Sequence, residues 1–300
     1  MKLWAQLSQP MRGHVAMLAF SALVAGSFSL GAAAARYVSP SALTVARFAL
    51  AGALVGLAAF VTVGVPRKTW VAPWRYVILG GLLACYFVLM FWGLQTATAV
   101  PMAAVFTLTP LMAAGFGWLL LGQITTARMA LALGLGATGA LWVIFRGDLA
   151  ALTRLEVGRG EIIYFFGCVA HAVYAPMVRK LNRGEPALVF TFGMMLAGFG
   201  ILCLWGWRDV LATDWAALPA IVWVCLIYVS VAASAMTFVL LQFATLRLPS
   251  AKVMAYTYLV PAWVILWEIA SGRPAPPINV LGGVILTALA LFLLLKDETA

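Results

Sequence analysis

Apolar residues in this chain come in blocks about twenty long, and polar residues collect in the short gaps between them. A block of that length predicts a helix across a bilayer, because ~20 residues at ~1.5 Å each cover a ~30 Å hydrocarbon core. Ten such spans are predicted, at 13–34, 40–63, 74–95, 99–121, 128–145, 160–181, 186–206, 216–243, 249–270 and 277–295. No block alternates as a barrel strand would, and lipid cannot satisfy an open backbone, so helices are expected. Turn residues punctuate the gaps: Gly64 with Pro66, Gly184 with Pro186, and Gly272 with Pro274. The longest gap, near 146–159, divides the chain almost in half. Five helices per half is an odd number, so a repeated unit enters the membrane in opposite senses. The expected fold is therefore an all-α membrane protein, with ten transmembrane helices as two inverted five-helix repeats around a central cavity. The halves are residues 1–146 and 160–300, and the connector is 147–159.

One span differs from its neighbours. The stretch 248–272 carries Lys252, Tyr256, Tyr258, Pro261 and Glu268, groups that a helix packed only on lipid has no use for. The stretch 94–123 is its counterpart, with Pro110 in its middle and Gly122 near its end, as the other has Pro261 and Gly272. Each proline removes a backbone donor and is expected to kink its helix, either as a hinge or as a fixed bend.

Composition removes the soluble alternatives. The 300 residues are 65% hydrophobic and 9% charged, with mean hydropathy +1.04; soluble domains carry about 25% charged residues. The net charge of +10 comes from basic residues in the gaps, which indicates membrane topology and not nucleic acid. With the N-terminus inside, twelve of the nineteen Lys and Arg fall on that side: Lys2, Arg12, Arg67, Lys68, Arg75, Arg128, Arg179, Lys180, Arg183, Arg247, Lys252 and Lys296. The other side receives Arg36, Arg47, Arg146, Arg154, Arg159, Arg208 and Arg273. Both termini are thus expected in the cytoplasm. Cys85, Cys168, Cys203 and Cys225 all lie in apolar runs and are expected to behave as small hydrophobes, with no disulfide framework or metal site. The first 35 residues imitate a signal peptide, but nine spans follow, so a retained helix is expected. Close glycines at 52 and 56, at 134, 136 and 139, and at 282 and 283 signal helix packing.

Several side chains are candidates for substrate contact. Lys252 lies one turn before Tyr256, with Trp263 two turns beyond, a stripe suited to an amphipathic anion or zwitterion; the alternative is a lysine snorkelling to the interface. Tyr164, Cys168, His171 and Tyr174 form a second stripe, on which His171 either meets substrate or bonds a neighbouring helix. Tyr86 sits deep in the third span. Ser230, Ser234 and Thr237 share a face of the eighth and either line a polar path or bond across helices. Arg47 is expected to hold backbone carbonyls or to snorkel outward, His14 to lie at the interface, and Glu268 to pair with Arg47 or Arg273.

The ten spans in two halves, Arg47-Phe48 in the second span, and the prolines of the fourth and ninth resemble the drug/metabolite transporter superfamily, EamA type. Within it the chain is similar to the YddG-type aromatic amino acid exporters. The resemblance implies a basket-like bundle with a central cavity in the bacterial inner membrane, exporting aromatic and other hydrophobic amino acids by alternating access. Relatives often carry Glu after the Leu-Gly closing the fourth and ninth helices. Here Gln123 and Arg273 follow the glycines, so no role for that Glu carries over.

Absences narrow the mechanism. The sequence has no GxxxxGK[ST] phosphate loop and no His-Glu-x-x-His pair. An enzyme is not expected, nor a cofactor. Secondary transport of a small molecule remains, with lipid as the surrounding partner. The main reading is amino acid export, with Lys252, Tyr256, His171, Tyr164, Tyr86 and Ser234 as substrate contacts and Pro110 and Pro261 as helix breaks. The alternative is broader drug or metabolite efflux on the same fold.

Overall fold

The computed structural model describes residues 8–153 and 157–295. Lys2, Arg154 and Lys296, counted above for topology, lie outside the described residues. Among the described residues all regular structure is helical. The principal helices are α1 (Gln9–Ala34), α2 (Pro40–Thr62), α3 (Trp74–Gly93), α4 (Ala99–Leu121), α5 (Ala127–Ile144), α6 (Arg159–Leu181), α7 (Ala187–Ala212), α8 (Ala220–Thr245), α9 (Ser250–Ala270) and α10 (Val280–Leu295). The first nine are long and apolar enough to cross a membrane. The tenth is described over 16 residues, up to the last described position. It starts later than its apolar run suggests because Pro274, Pro276 and Pro277 cannot donate to a helix ladder.

Local chemistry sets the other starts. Ser8, Ser39 and Thr126 each accept a hydrogen bond from the N–H three residues on, at 3.3, 3.1 and 3.2 Å, and so cap α1, α2 and α5. Pro10 and Pro40 occupy first-turn positions, where the missing N–H has no partner to lose. Gly122 ends α4 at φ +66°, in the left-handed region that favours glycine.

The expected kinks at Pro110 and Pro261 within continuous helices are not what forms. Each proline sits in the first turn of a new segment. Helix α4 is Ala99–Phe106 followed by Thr109–Leu121, and α9 is Ser250–Ala255, a tight turn at Tyr256–Leu259, then Val260–Ala270. The break in α4 is fixed by two hydroxyls that bond back to carbonyls, Thr107 to Ala104 and Thr109 to Phe106, each at 2.6 Å. Helix α8 contains a break that the sequence did not suggest, a π-helical stretch at Val231–Met236. Ser234 Oγ donates to Val229 O at 2.7 Å, five residues back, within this widened turn.

Packing follows a rule of exchange. Helix α3 packs on α6 as α8 packs on α1, and α3 on α7 as α8 on α2. The second segment of α4 lies on α6, as that of α9 lies on α1. Helices α4 and α9 cross, the first segment of each meeting the second segment of the other, and α2–α7 and α5–α10 pair directly. Adding five to each number maps these contacts onto themselves. Two repeated halves related by a pseudo-twofold produce that pattern. One close approach joins α5 to α10. A Cβ on Gly139 would lie 2.7 Å from Gly283 O, and one on Gly283 would lie 2.6 Å from Gly139 O. Outward faces remain apolar, with Phe60, Val61, Leu131 and Leu204 exposed, as a hydrocarbon surround accepts.

Candidate functional site

The break in α4 places Phe106 against the middle of α3 and α6, where three expected residues meet. Tyr86 of α3 and Tyr164 of α6 share a hydrogen bond between hydroxyls at 2.9 Å. The Tyr86 and His171 rings are 4.5 Å apart between centroids. Phe106 lies 5.3 Å from His171, and Phe28 of α1 lies 5.9 Å from Tyr164. All five are buried. These rings pack together between α1, α3 and α4 of the first half and α6 of the second.

Around this aromatic layer lie buried polar atoms without partners. They include His171 Nδ1, Gln242 Oε1, Ser230 Oγ, Thr237 Oγ1 and one guanidinium nitrogen of Arg47. Gln242 donates to Tyr174 OH at 2.8 Å, and that hydroxyl donates to Met194 Sδ at 2.9 Å. An unmade hydrogen bond on a buried group costs about 1–3 kcal/mol. Several together, beside stacked rings, form surroundings suited to a ligand with an aromatic body and a polar head. Sequence reading passed over Gln242 and Phe106. Gln242 is a buried amide in an otherwise apolar run, and that was the available signal.

Ser234 binds across helices. Its Oγ accepts from Arg47 Nε at 2.5 Å, while Ala233 O accepts from Arg47 Nη2 at 2.6 Å. Arg47 thus holds a backbone carbonyl, as expected.

Lys252 and Tyr256 are not part of the aromatic layer. Both are buried in the first segment and following turn of α9, toward the face where α1 begins, here the N-face. Tyr256 OH lies 3.0 Å from His14 Nδ1, and Trp263 Nε1 donates to Ser21 Oγ at 3.3 Å. The aromatic members of the Lys252 stripe therefore turn their polar tips onto α1. His14 is buried near the start of α1, with its ring against the Tyr256 hydroxyl.

The departures at Gln123 and Arg273 have local uses. Gln123 Oε1 accepts from the Ser250 N–H at 3.3 Å, at the start of α9. Arg273 donates to both oxygens of Glu268, at 2.9 and 2.7 Å, the second of the two pairings expected for that acid. This ion pair lines a pocket of about 550 Å³ on the face opposite the N-face, with Arg36, Tyr37, Gln95 and Thr96. A neighbouring pocket of about 350 Å³ shares the pair.

On the N-face the halves are clamped. Arg75 is buried and donates to Glu185 Oε1 at 2.7 Å and Leu181 O at 2.7 Å. Burial pushes the Glu185 carboxyl up. The Arg75 hydrogen bond and charge and the Arg183 N–H outweigh this and leave it below the ordinary 4.5. Among the described residues no three His, Cys, Asp or Glu side chains gather as a metal set.

An all-helical, multi-pass bundle of two repeated halves around a polar-edged aromatic centre is an architecture that membrane transporters use. The chain belongs to the EamA-like transporter family, whose pattern matches residues 11–145 and 158–296. It is 25% identical over 284 residues to "Uncharacterized transporter YyaM" of Bacillus subtilis (strain 168), covering 91% of this chain and 90% of that protein. A solved structure described only as "Crystal structure of protein" is 21% identical, covers 98% of this chain and 99% of its own, and superposes with a TM-score of 0.72. That likeness concerns the fold alone.

Proposed function

We propose that the protein exports aromatic and other hydrophobic amino acids across the bacterial inner membrane. In this reading the N-face and both termini are cytoplasmic, and the halves 1–146 and 160–300 rock about the centre to give alternating access. The observation that supports it is the aromatic layer of Tyr86, Tyr164 and His171 edged by unpaired polar atoms. Aromatic walls take an indole or phenyl body, and the polar edge takes the charged head. Lys252 and Tyr256 contact substrate nearer the cytoplasm, and Ser234 contributes beyond the layer. The breaks at Pro110 and Pro261 supply the hinges, since a segment boundary bends at less cost than a continuous helix.

The test is flux in proteoliposomes, with tryptophan, phenylalanine, threonine and a lipophilic cation measured side by side. Saturable tryptophan and phenylalanine flux is expected, and His171→Ala should lower it about tenfold, or ~1.4 kcal/mol of transition-state binding. A lipophilic cation as the fastest substrate would favour broader drug efflux instead. Among the described residues the unpaired polar groups around the layer include no carboxylate to receive such a cation.

A further inference from the structure

Arg47 is wholly buried, and its contacts satisfy only part of its guanidinium. Nε and Nη2 are bonded to Ser234 Oγ and Ala233 O, and Nη1 has no acceptor. No carboxylate among the described residues pairs with it. The cation lies over the Phe87 ring, 3.6 Å from its centroid, and Phe87 packs 4.6 Å from Tyr86 of the aromatic layer. Both bonding partners come from the π-helical stretch of α8. One turn before Ser234, the Ser230 hydroxyl is also buried and unpartnered.

A strut between α2 and α8 needs hydrogen-bond donors but no charge, and a neutral amide would cost far less to bury than a guanidinium. A cation kept here, over a ring and with one donor free, has an unused charge and an unused direction. We infer that Arg47 Nη1 and the Ser230 hydroxyl form a binding site for a monovalent carboxylate at the edge of the aromatic layer. A single buried positive charge matches a single negative one, and a guanidinium nitrogen and a hydroxyl together suit a carboxylate's two oxygens. The identity of the carboxylate's bearer, an aromatic amino acid, rests on the exporter reading; the anion site does not. Lys252 then meets the same group only on the approach from the N-face.

The test is isothermal titration of the full chain purified in detergent, with four probes: tryptophan, tryptophanamide, indole-3-propionate and chloride. Wild-type protein is expected to bind tryptophan and indole-3-propionate at least tenfold tighter than tryptophanamide. Arg47→Gln should abolish this preference while leaving tryptophanamide affinity unchanged, a pattern that loss of a structural strut would not produce. Arg47→Lys retains the charge for the case in which Arg47→Gln does not fold, and should cut the preference several-fold. Equal wild-type affinity for indole-3-propionate and tryptophanamide, or a preference that survives at Arg47→Lys and disappears at Lys252→Gln, overturns the site. Chloride binding as tightly as the carboxylates identifies an inorganic-anion site and overturns the carboxylate assignment. If indole-3-propionate binds through Arg47 while tryptophan does not, the exporter reading fails and the anion site stands.

Discussion

The hydroxyl pair of Tyr86 and Tyr164 offers a measurement of how tightly the centre is built. The oxygens lie 2.9 Å apart on rings that are 2% and 0% exposed, so water cannot replace either one. Tyr164→Phe leaves the Tyr86 hydroxyl in an aromatic pocket. Tyr86→Phe leaves the Tyr164 hydroxyl beside the Cys168 thiol, a weak substitute partner. An abandoned buried hydroxyl costs about 1–3 kcal/mol, whereas hydrogen bonds inside membranes average only about 0.6 kcal/mol because the denatured chain also finds partners. The single changes should therefore destabilise by about 1–2 kcal/mol for Tyr164→Phe and about 1 kcal/mol for Tyr86→Phe. The double change removes both ends of the bond and should cost no more than the worse single one. That outcome is a coupling of about 1 kcal/mol. Equilibrium unfolding in mixed micelles of increasing SDS fraction reads all four corners of the cycle. Strict additivity would refute the reasoning, since the hydroxyls would then not be paired in the folded chain.

Three further outcomes are expected. The Glu185 carboxyl is held below 4.5, so its pairing with Arg75 contributes fully above that pH and is lost as pH falls through the lower folded value. Glu185→Gln should flatten the acid limb of melting temperature against pH below about 4.5, and an unchanged limb would place the acid sensitivity elsewhere. Gly139→Val puts side-chain carbon within 2.7 Å of Gly283 O, so α5 and α10 must shift apart. Stability should fall by about 2 kcal/mol or more, while Gly134→Ala, with nothing near its Cβ, should be tolerated. Lys252→Ala should lower tryptophan flux in proteoliposomes with little change in melting temperature; undiminished flux would remove Lys252 from the path.

Much of the architecture is legible in single residues. Ser39-Pro40 announces the start of α2, and Gly122 the end of α4. The spacing of Tyr164 and His171 places both on one face of α6, and they do reach the same centre. The π-helical stretch was not legible, because Val231–Met236 contains no proline or glycine and its widened turn depends on Ser234 meeting both Arg47 and Val229. The stripe from Lys252 to Trp263 was legible as a stripe but not in its direction, since His14 and Ser21 are more than two hundred positions away in the chain.

The sequence by itself determined that these residues form helices, that they lie in a membrane and roughly where each one begins. Long apolar runs in lipid leave the backbone no other way to satisfy its hydrogen bonds. Tertiary structure alone decided which side of each helix faces inward. Lipid tails and the protein interior are equally apolar, so no hydrophobic gradient around a helix records its orientation. That information lies in fits between distant partners, such as Gly139 against Gly283 and Arg47 against the α8 turn, and these exist only once the helices have assembled.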